Sequence, residues 1–117
     1  MTAAELKRAL QETSEIRITV TGRRSGRQIS HPVWFVHEED SLYLLPVHGS
    51  GTRWYRNVLE TPTIRVAANG AETTVKATAL TEPAAVSEVA EKFGAKYGEL
   101  DRYYPKRDVA VLIPLEE

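Results

Sequence analysis

Asn69-Gly70, placed between residues 63–68 and 72–80, constrains this chain more than any other feature. An Asn-Gly pair supplies the two positive-φ positions of a tight hairpin turn whose twist matches the strands it joins. The flanking segments are therefore expected to pair antiparallel. Residues 16–21 (IRITVT) alternate β-branched and other side chains and predict another strand. Residues 31–37 (HPVWFVH), 42–47 (LYLLPV) and 109–115 (VAVLIPL) predict three more. Gly22 to Gly26 (GRRSG) forms the first turn, and the polar cluster Glu38 to Ser41 the second.

Helices are sparser. Residues 3–12 place Leu6 and Leu10 at i,i+4 spacing. Thr52 is positioned to cap a helix over 53–60, which Pro62 ends. Thr81 and Pro83 open a third, to about Tyr97, with Val86, Val89, Ala90 and Phe93 on its apolar face. Residues 48–52 (HGSGT) read as a flexible loop. The order is helix, three strands, helix, two strands, helix, strand. Hairpin-linked strands argue against alternating βαβ units. The expected fold is mostly β (α+β): a six-stranded antiparallel barrel with short helices closing its ends, forming one domain over residues 1–117.

A chain of 117 residues buries about two thirds of its unfolded surface without staples. It has no cysteine, which excludes disulfides, thiolate metal sites and cysteine nucleophiles. The N-terminal stretch is charged and lacks the apolar core of a signal peptide, and no apolar run approaches a membrane span. A cytoplasmic protein that meets no membrane is the expectation. Net charge is −1, which argues against a nucleic-acid partner. The distribution is less even. No acid lies between Glu15 and Glu38, where Arg17, Arg23, Arg24 and Arg27 fall, nor from Ser41 to Leu59, which holds Arg53 and Arg56. If those segments meet, they make a basic face suited to a compact anion such as phosphate.

Two segments could carry chemistry. In Thr21 to Arg27 (TGRRSGR), glycines permit close backbone approach, Ser25 offers a hydroxyl and arginines offer charge-assisted bonds to phosphate. The same residues also describe an ordinary turn with solvated arginines, and both readings stand. The spacing is not that of a Walker loop. In residues 48–57 (HGSGTRWYRN), a glycine-preceded helix start offers a polar-ring or anion site, and Trp54 and Tyr55 offer stacking surfaces. Trp54 equally serves as an anchor of the helix to the sheet. Tyr97, Tyr103 and Tyr104 form a C-terminal aromatic cluster, either rim packing or a source of a phenolic proton. His31, His37 and His48 lack metal-ligand spacing, so no metal is expected; His31 and His37, six apart, would share a strand face. No serine-hydrolase elbow is present.

Taken together, Thr21-Gly22-Arg23-Arg24-Ser25-Gly26, His31-Pro32-Val33-Trp34, Trp54-Tyr55-Arg56-Asn57-Val58 and Thr61-Pro62 resemble the deazaflavin (F420)-dependent nitroreductase family. That family belongs to the split β-barrel, FMN-binding, pyridoxamine 5'-phosphate oxidase-like superfamily. The resemblance spans about residues 18–70. It implies a flavoprotein: a small oxidoreductase in which reduced coenzyme F420 or FMN passes hydride to an unsaturated or nitro-bearing acceptor. It also implies a homodimer. The cofactor phosphate would lie on Arg24, Ser25 and Gly26, with Thr21, Arg23, Arg27, His31 and Pro32 nearby. Pro46, Val47, His48 and Gly49 would run along the ring, and Trp54, Tyr55 and Asn57 would close one side. Tyr97 and Tyr104 are the candidate proton donors. Ile29 stands where the family carries a basic residue, and the glycine loop is about three residues shorter, departures that keep FMN beside F420. The alternative is a non-catalytic barrel that binds or sequesters a flavin-type cofactor or another planar anionic ligand.

Overall fold

The computed structural model describes residues 3–13, 15–98 and 100–115. Met1, Thr2, Ser14, Glu99, Glu116 and Glu117, which the single-domain expectation includes, lie outside them. The elements are α1 (Ala3–Leu10), β1 (Glu15–Thr21), β2 (Gln28–Trp34), β3 (Val36–Glu38), β4 (Ser41–Leu44), α2 (Arg53–Glu60), β5 (Thr63–Ala68) and β6 (Ala71–Lys76). They continue with β7 (Thr78–Leu80), α3 (Pro83–Tyr97), α4 (Leu100–Tyr103) and β8 (Ala110–Pro114).

The strands form two four-stranded antiparallel sheets, ordered β2-β1-β5-β6 and β3-β4-β8-β7. Period-2 patterning decides their inner faces. Ile16, Ile18 and Val20 of β1 point inward while Glu15 and Arg17 face water, and β5 repeats this with Ile64, Val66 and Ala68. Leu42, Leu44, Val111 and Ile113 answer from the other sheet. Leu6, Ala9 and Leu10 of α1 and Trp54, Tyr55 and Val58 of α2 complete this core. A second cluster lies under α3, where Val86, Val89 and Phe93 pack on Val36, Leu45, Tyr104 and Ala110. At Asn69 and Gly70 φ is 46° and 88°, as the hairpin requires.

The fold is mixed α+β and mostly strand, as expected, but it is not a six-stranded barrel. Two of the expected strands bend, and each contributes to both sheets. Residues 31–37 belong to a strand that begins earlier, at Gln28, and breaks at Phe35; residues 72–80 break at Ala77. Phe35 and Val36 are consecutive and both buried, which a straight strand with alternating faces cannot supply. Both backbone groups of Phe35 are satisfied at the bend by a side chain: the Tyr97 hydroxyl donates to its carbonyl at 2.8 Å and accepts from its N–H at 3.1 Å. Lys96 Nζ donates to the same carbonyl at 2.8 Å and stands 3.7 Å from the Phe35 ring centroid. At the second bend the Ala77 N–H donates to the Pro62 carbonyl at 2.9 Å. One consequence is that His31 and His37 do not share a strand face, because the Phe35 bend puts them in different sheets.

Two further expectations are corrected. The 48–52 segment is not a loose loop: Gly49–Gly51 forms a 3₁₀ turn. Asp108 holds it, accepting from the Ser50 N–H at 2.9 Å and the Ser50 hydroxyl at 2.6 Å. Gly49 has φ +57°, and a Cβ there would stand 2.1 Å from Asp108 Oδ1, so the turn closes on Asp108 only with glycine. Thr52 occupies the cap position of α2, but its hydroxyl accepts from the His48 N–H at 2.9 Å instead of capping the helix. Among the described residues no helix is long and apolar enough to cross a membrane.

Candidate functional site

The β1–β2 turn is built by its own backbone. Gly22 N–H donates to the Arg27 carbonyl at 2.8 Å, and Gly26 N–H to the Gly22 carbonyl at 2.9 Å. A Cβ on Gly22 would lie 2.8 Å from Ser25 Oγ, so glycine lets that hydroxyl tuck under the turn. Ser25 Oγ accepts from the Arg27 N–H at 3.2 Å, which leaves its proton free to point elsewhere. Asn57, buried on α2, ties the turn to the helix: its Oδ1 accepts from the Arg23 N–H at 3.2 Å and from Arg23 Nη1 at 2.7 Å.

These contacts shape a cradle of about 440 Å³ walled by Gly22, Arg23, Arg24, Ser25, Ile29, His31, Arg53 and Asn57. Among the described residues, no carboxylate is among its walls. The two acid-free stretches of sequence therefore do meet, with Arg23 and Arg24 from one and Arg53 from the other.

A second cavity, of about 500 Å³, adjoins the first across His31. The aromatic side chains Trp34, Trp54, Tyr103 and Tyr104 line it. Pro32, Val33, Leu45, Val47, His48 and Thr52 complete the walls, with Glu15 as its carboxylate. Trp34 is held by stacking on Tyr97, with ring centroids 4.4 Å apart and planes 12° from parallel. Tyr104 meets Phe93 edge-on at 5.5 Å. Burial, with a smaller contribution from Tyr97, pushes the Tyr104 phenol well above the usual tyrosine range. His31 is the remaining polar wall, and its Nε2 is buried with no hydrogen-bond partner.

Of the residues singled out by sequence, Arg23, Arg24, Ser25 and Asn57 are gathered in the cradle, and Pro32, Val47, His48, Trp54 and Tyr104 in the aromatic cavity, with His31 in both. The others stand apart. Thr21 faces Gln28, whose Nε2 donates to its hydroxyl at 2.9 Å. Gly26 and Arg27 lie exposed on the outer side of the turn. Pro46 is buried, Gly49 packs on Asp108, and Tyr55 lies in the core with its phenol pushed up chiefly by burial. Tyr97 is a correction to the proton-donor expectation. Its hydroxyl proton is directed at the Phe35 carbonyl, and burial holds that proton more firmly. Gly22, Ile29 and Arg53 of the cradle, and Glu15, Val33, Trp34, Leu45, Thr52 and Tyr103 of the aromatic cavity, were not assigned to the site. Arg53 carried a signal, as a charge in the second acid-free stretch, and Trp34 and Tyr103 lay in segments already singled out; Glu15 and Leu45 carried none.

No curated protein matches the chain in sequence. Solved structures do match in fold. HutZ, the heme storage protein from Vibrio cholerae, superposes on all of this chain and 92% of its own at a TM-score of 0.75 and 17% identity. An F420-H2-dependent reductase (FDR-A) covers 86% of this chain and 93% of its own at a TM-score of 0.63 and 20% identity. A FAD-binding protein from Mesorhizobium loti covers 100% and 91% at a TM-score of 0.68 and 14% identity. These neighbours have the split-barrel fold of the pyridoxamine 5'-phosphate oxidase type, and at such identities the likeness is one of fold. The walls of both cavities, from Glu15 to Tyr104, fall within residues 5–110, the stretch that matches the family described as "Uncharacterized protein conserved in bacteria (DUF2255)", and the chain belongs to that family.

Proposed function

We propose that this protein binds a flavin-type cofactor, FMN or coenzyme F420, across the two adjoining cavities and serves as a small reductase. The observation that carries the reading is the juxtaposition itself: a basic cradle with no carboxylate among the described residues opens beside an aromatic cavity, with the His31 imidazole, its Nε2 without a partner among them, between the two. A ring carrying a phosphate on a polar linker has those same three parts. Flavin-binding and F420-using proteins among the fold neighbours support the assignment.

Arg24 and Arg53 would hold the phosphate by charge-assisted bonds, and Ser25 would donate its hydroxyl. Arg23, fixed by Asn57, would keep the turn in place and add charge. Trp34, Trp54 and Tyr103 would flank the ring and keep water from it. When bound, the cofactor supplies hydride chemistry. Tyr104, whose phenol stays protonated, would donate a hydrogen bond or a proton to a small unsaturated or nitro-bearing acceptor. Tyr97 would act through Trp34. β2 is a sheet edge, and Ile29, Val47 and Tyr103, exposed and large, border the cavities. A second copy docked there would cover them, which supports a homodimer. Light scattering on the purified protein reads that directly.

The reading is tested by titrating the protein with FMN and with F420 while following cofactor fluorescence. Saturable binding that Arg24→Ala removes, in a variant that still unfolds cooperatively, is the expected result; no binding of either by folded protein overturns it. A second reading, sequestration of a flavin-type cofactor or another planar anion without turnover, uses the same cradle and cavity walls. Saturable cofactor binding with no hydride transfer to any small acceptor tested would select it.

A further inference from the structure

The two cavities meet at one side chain. His31 walls both, and its Nε2 is the buried side-chain polar atom without a partner among the described residues. Leaving such an atom without a hydrogen bond is costly, so it marks a place where a group from outside belongs. Burial lowers the pKa of this imidazole from the ordinary histidine value.

The charges facing it act in opposite directions. From the turn come Arg23 and Arg24, and from α2 comes Arg53, all on the cradle side. On the other side are Glu15 of β1, His48, and the phenols Tyr103 and Tyr104. An anion seated among the guanidinium groups brings an opposite charge and an acceptor to the ring, so that imidazolium becomes the favoured form.

We propose that His31 is the proton-linked contact of this site: an anion entering the cradle draws a proton from solvent onto the imidazole, and Nε2–H then donates to the ligand where its anionic end meets its planar ring. The site so built selects ligands that carry both parts over those with the ring alone. The inference rests on the two-cavity reading above, and its test is arranged so that the two can fail separately.

The protein has three histidines, whose ring protons are resolvable by NMR between about pH 5 and 8. His31→Gln assigns the resonance. His37, whose Nε2 lies 2.9 Å from the Glu39 carbonyl and which lines neither cavity, is the internal reference. With inorganic phosphate replacing chloride at constant ionic strength, the His31 midpoint rises by about one pH unit, a tenfold linkage, and Arg24→Ala removes the rise. An unmoved midpoint overturns the inference.

FMN and riboflavin are then titrated against pH. Since the phosphate's own second ionisation, near about pH 6, affects wild type and variant alike, the comparison is with His31→Gln. Expected is FMN affinity that gains up to about tenfold per unit fall in pH relative to that variant, with riboflavin gaining nothing. FMN binding with the same profile in both proteins overturns the inference and leaves the flavin reading standing. A phosphate-dependent His31 midpoint without FMN binding does the reverse.

Discussion

The basic cradle and the aromatic cavity share a wall but are built in opposite ways. The cradle draws most of its walls from one turn and one helix, residues 22–31 and 53–57, and its key contacts are a local backbone turn plus one asparagine. The aromatic cavity collects side chains from β1, β2, the segment after β4, α2 and α4, and both its walls are held from behind. Tyr97 grips the Phe35 bend and stacks on Trp34, while Asp108 pins the 49–51 turn beside His48. A cradle built locally can be lost without loss of the fold. An aromatic cavity assembled from distant segments cannot be separated from it.

That difference sets the order of effects. Trp54→Ala removes a side chain that is 6% exposed and serves core and cavity at once. It should destabilise by about 3–5 kcal/mol in urea unfolding, and with it the ring site goes. Tyr97→Phe keeps the ring that stacks on Trp34 but removes the hydroxyl's two hydrogen bonds to Phe35, whose carbonyl retains Lys96, costing about 1–3 kcal/mol. The Trp34 near-UV circular dichroism should alter while the variant still binds inorganic phosphate.

Asp108→Ala should cost less, about 0.5–1 kcal/mol at neutral pH, because the carboxylate side chain is 43% exposed. Its hydrogen bonds with Ser50 hold that carboxyl below the usual range. A depressed folded-state value means the stabilisation is present above the ordinary carboxylate pKa and fades as pH falls through the folded one. Wild type and variant should therefore converge in acid unfolding, and a constant gap would show that the latch is not ionic. Arg24→Ala closes the series: its stability should stay within about 0.5 kcal/mol of wild type while affinity for a phosphate-bearing ligand falls at least about tenfold. A large loss of stability there would erase the distinction between the two regions.

The same contrast explains what could be read in advance. The Asn69-Gly70 hairpin, the β1 and β5 patterns and the Pro83 start of α3 are local, and all stand in the structure. The cradle was legible for the same reason, since glycines, serine and arginines at turn spacing act over a few residues. Phe35 and Ala77 gave no warning. An apolar residue inside an apolar strand looks the same whether the strand runs straight or crosses to another sheet. Whether Tyr97 packs at the rim or offers its proton stayed open in the sequence because its partner, Phe35, lies 62 residues away.

By itself, then, the sequence determined the antiparallel strands, the turn that can present arginine and serine to an anion, and the absence of thiol chemistry, each a matter of neighbouring residues. Tertiary structure alone decided that two strands bend to make two sheets of four, that Arg53 joins Arg23 and Arg24, and that His31 stands unpartnered between a charged cradle and an aromatic cavity. The physical reason is that burial and unmet hydrogen bonds are properties of what surrounds an atom, and those surroundings come from residues far apart along the chain.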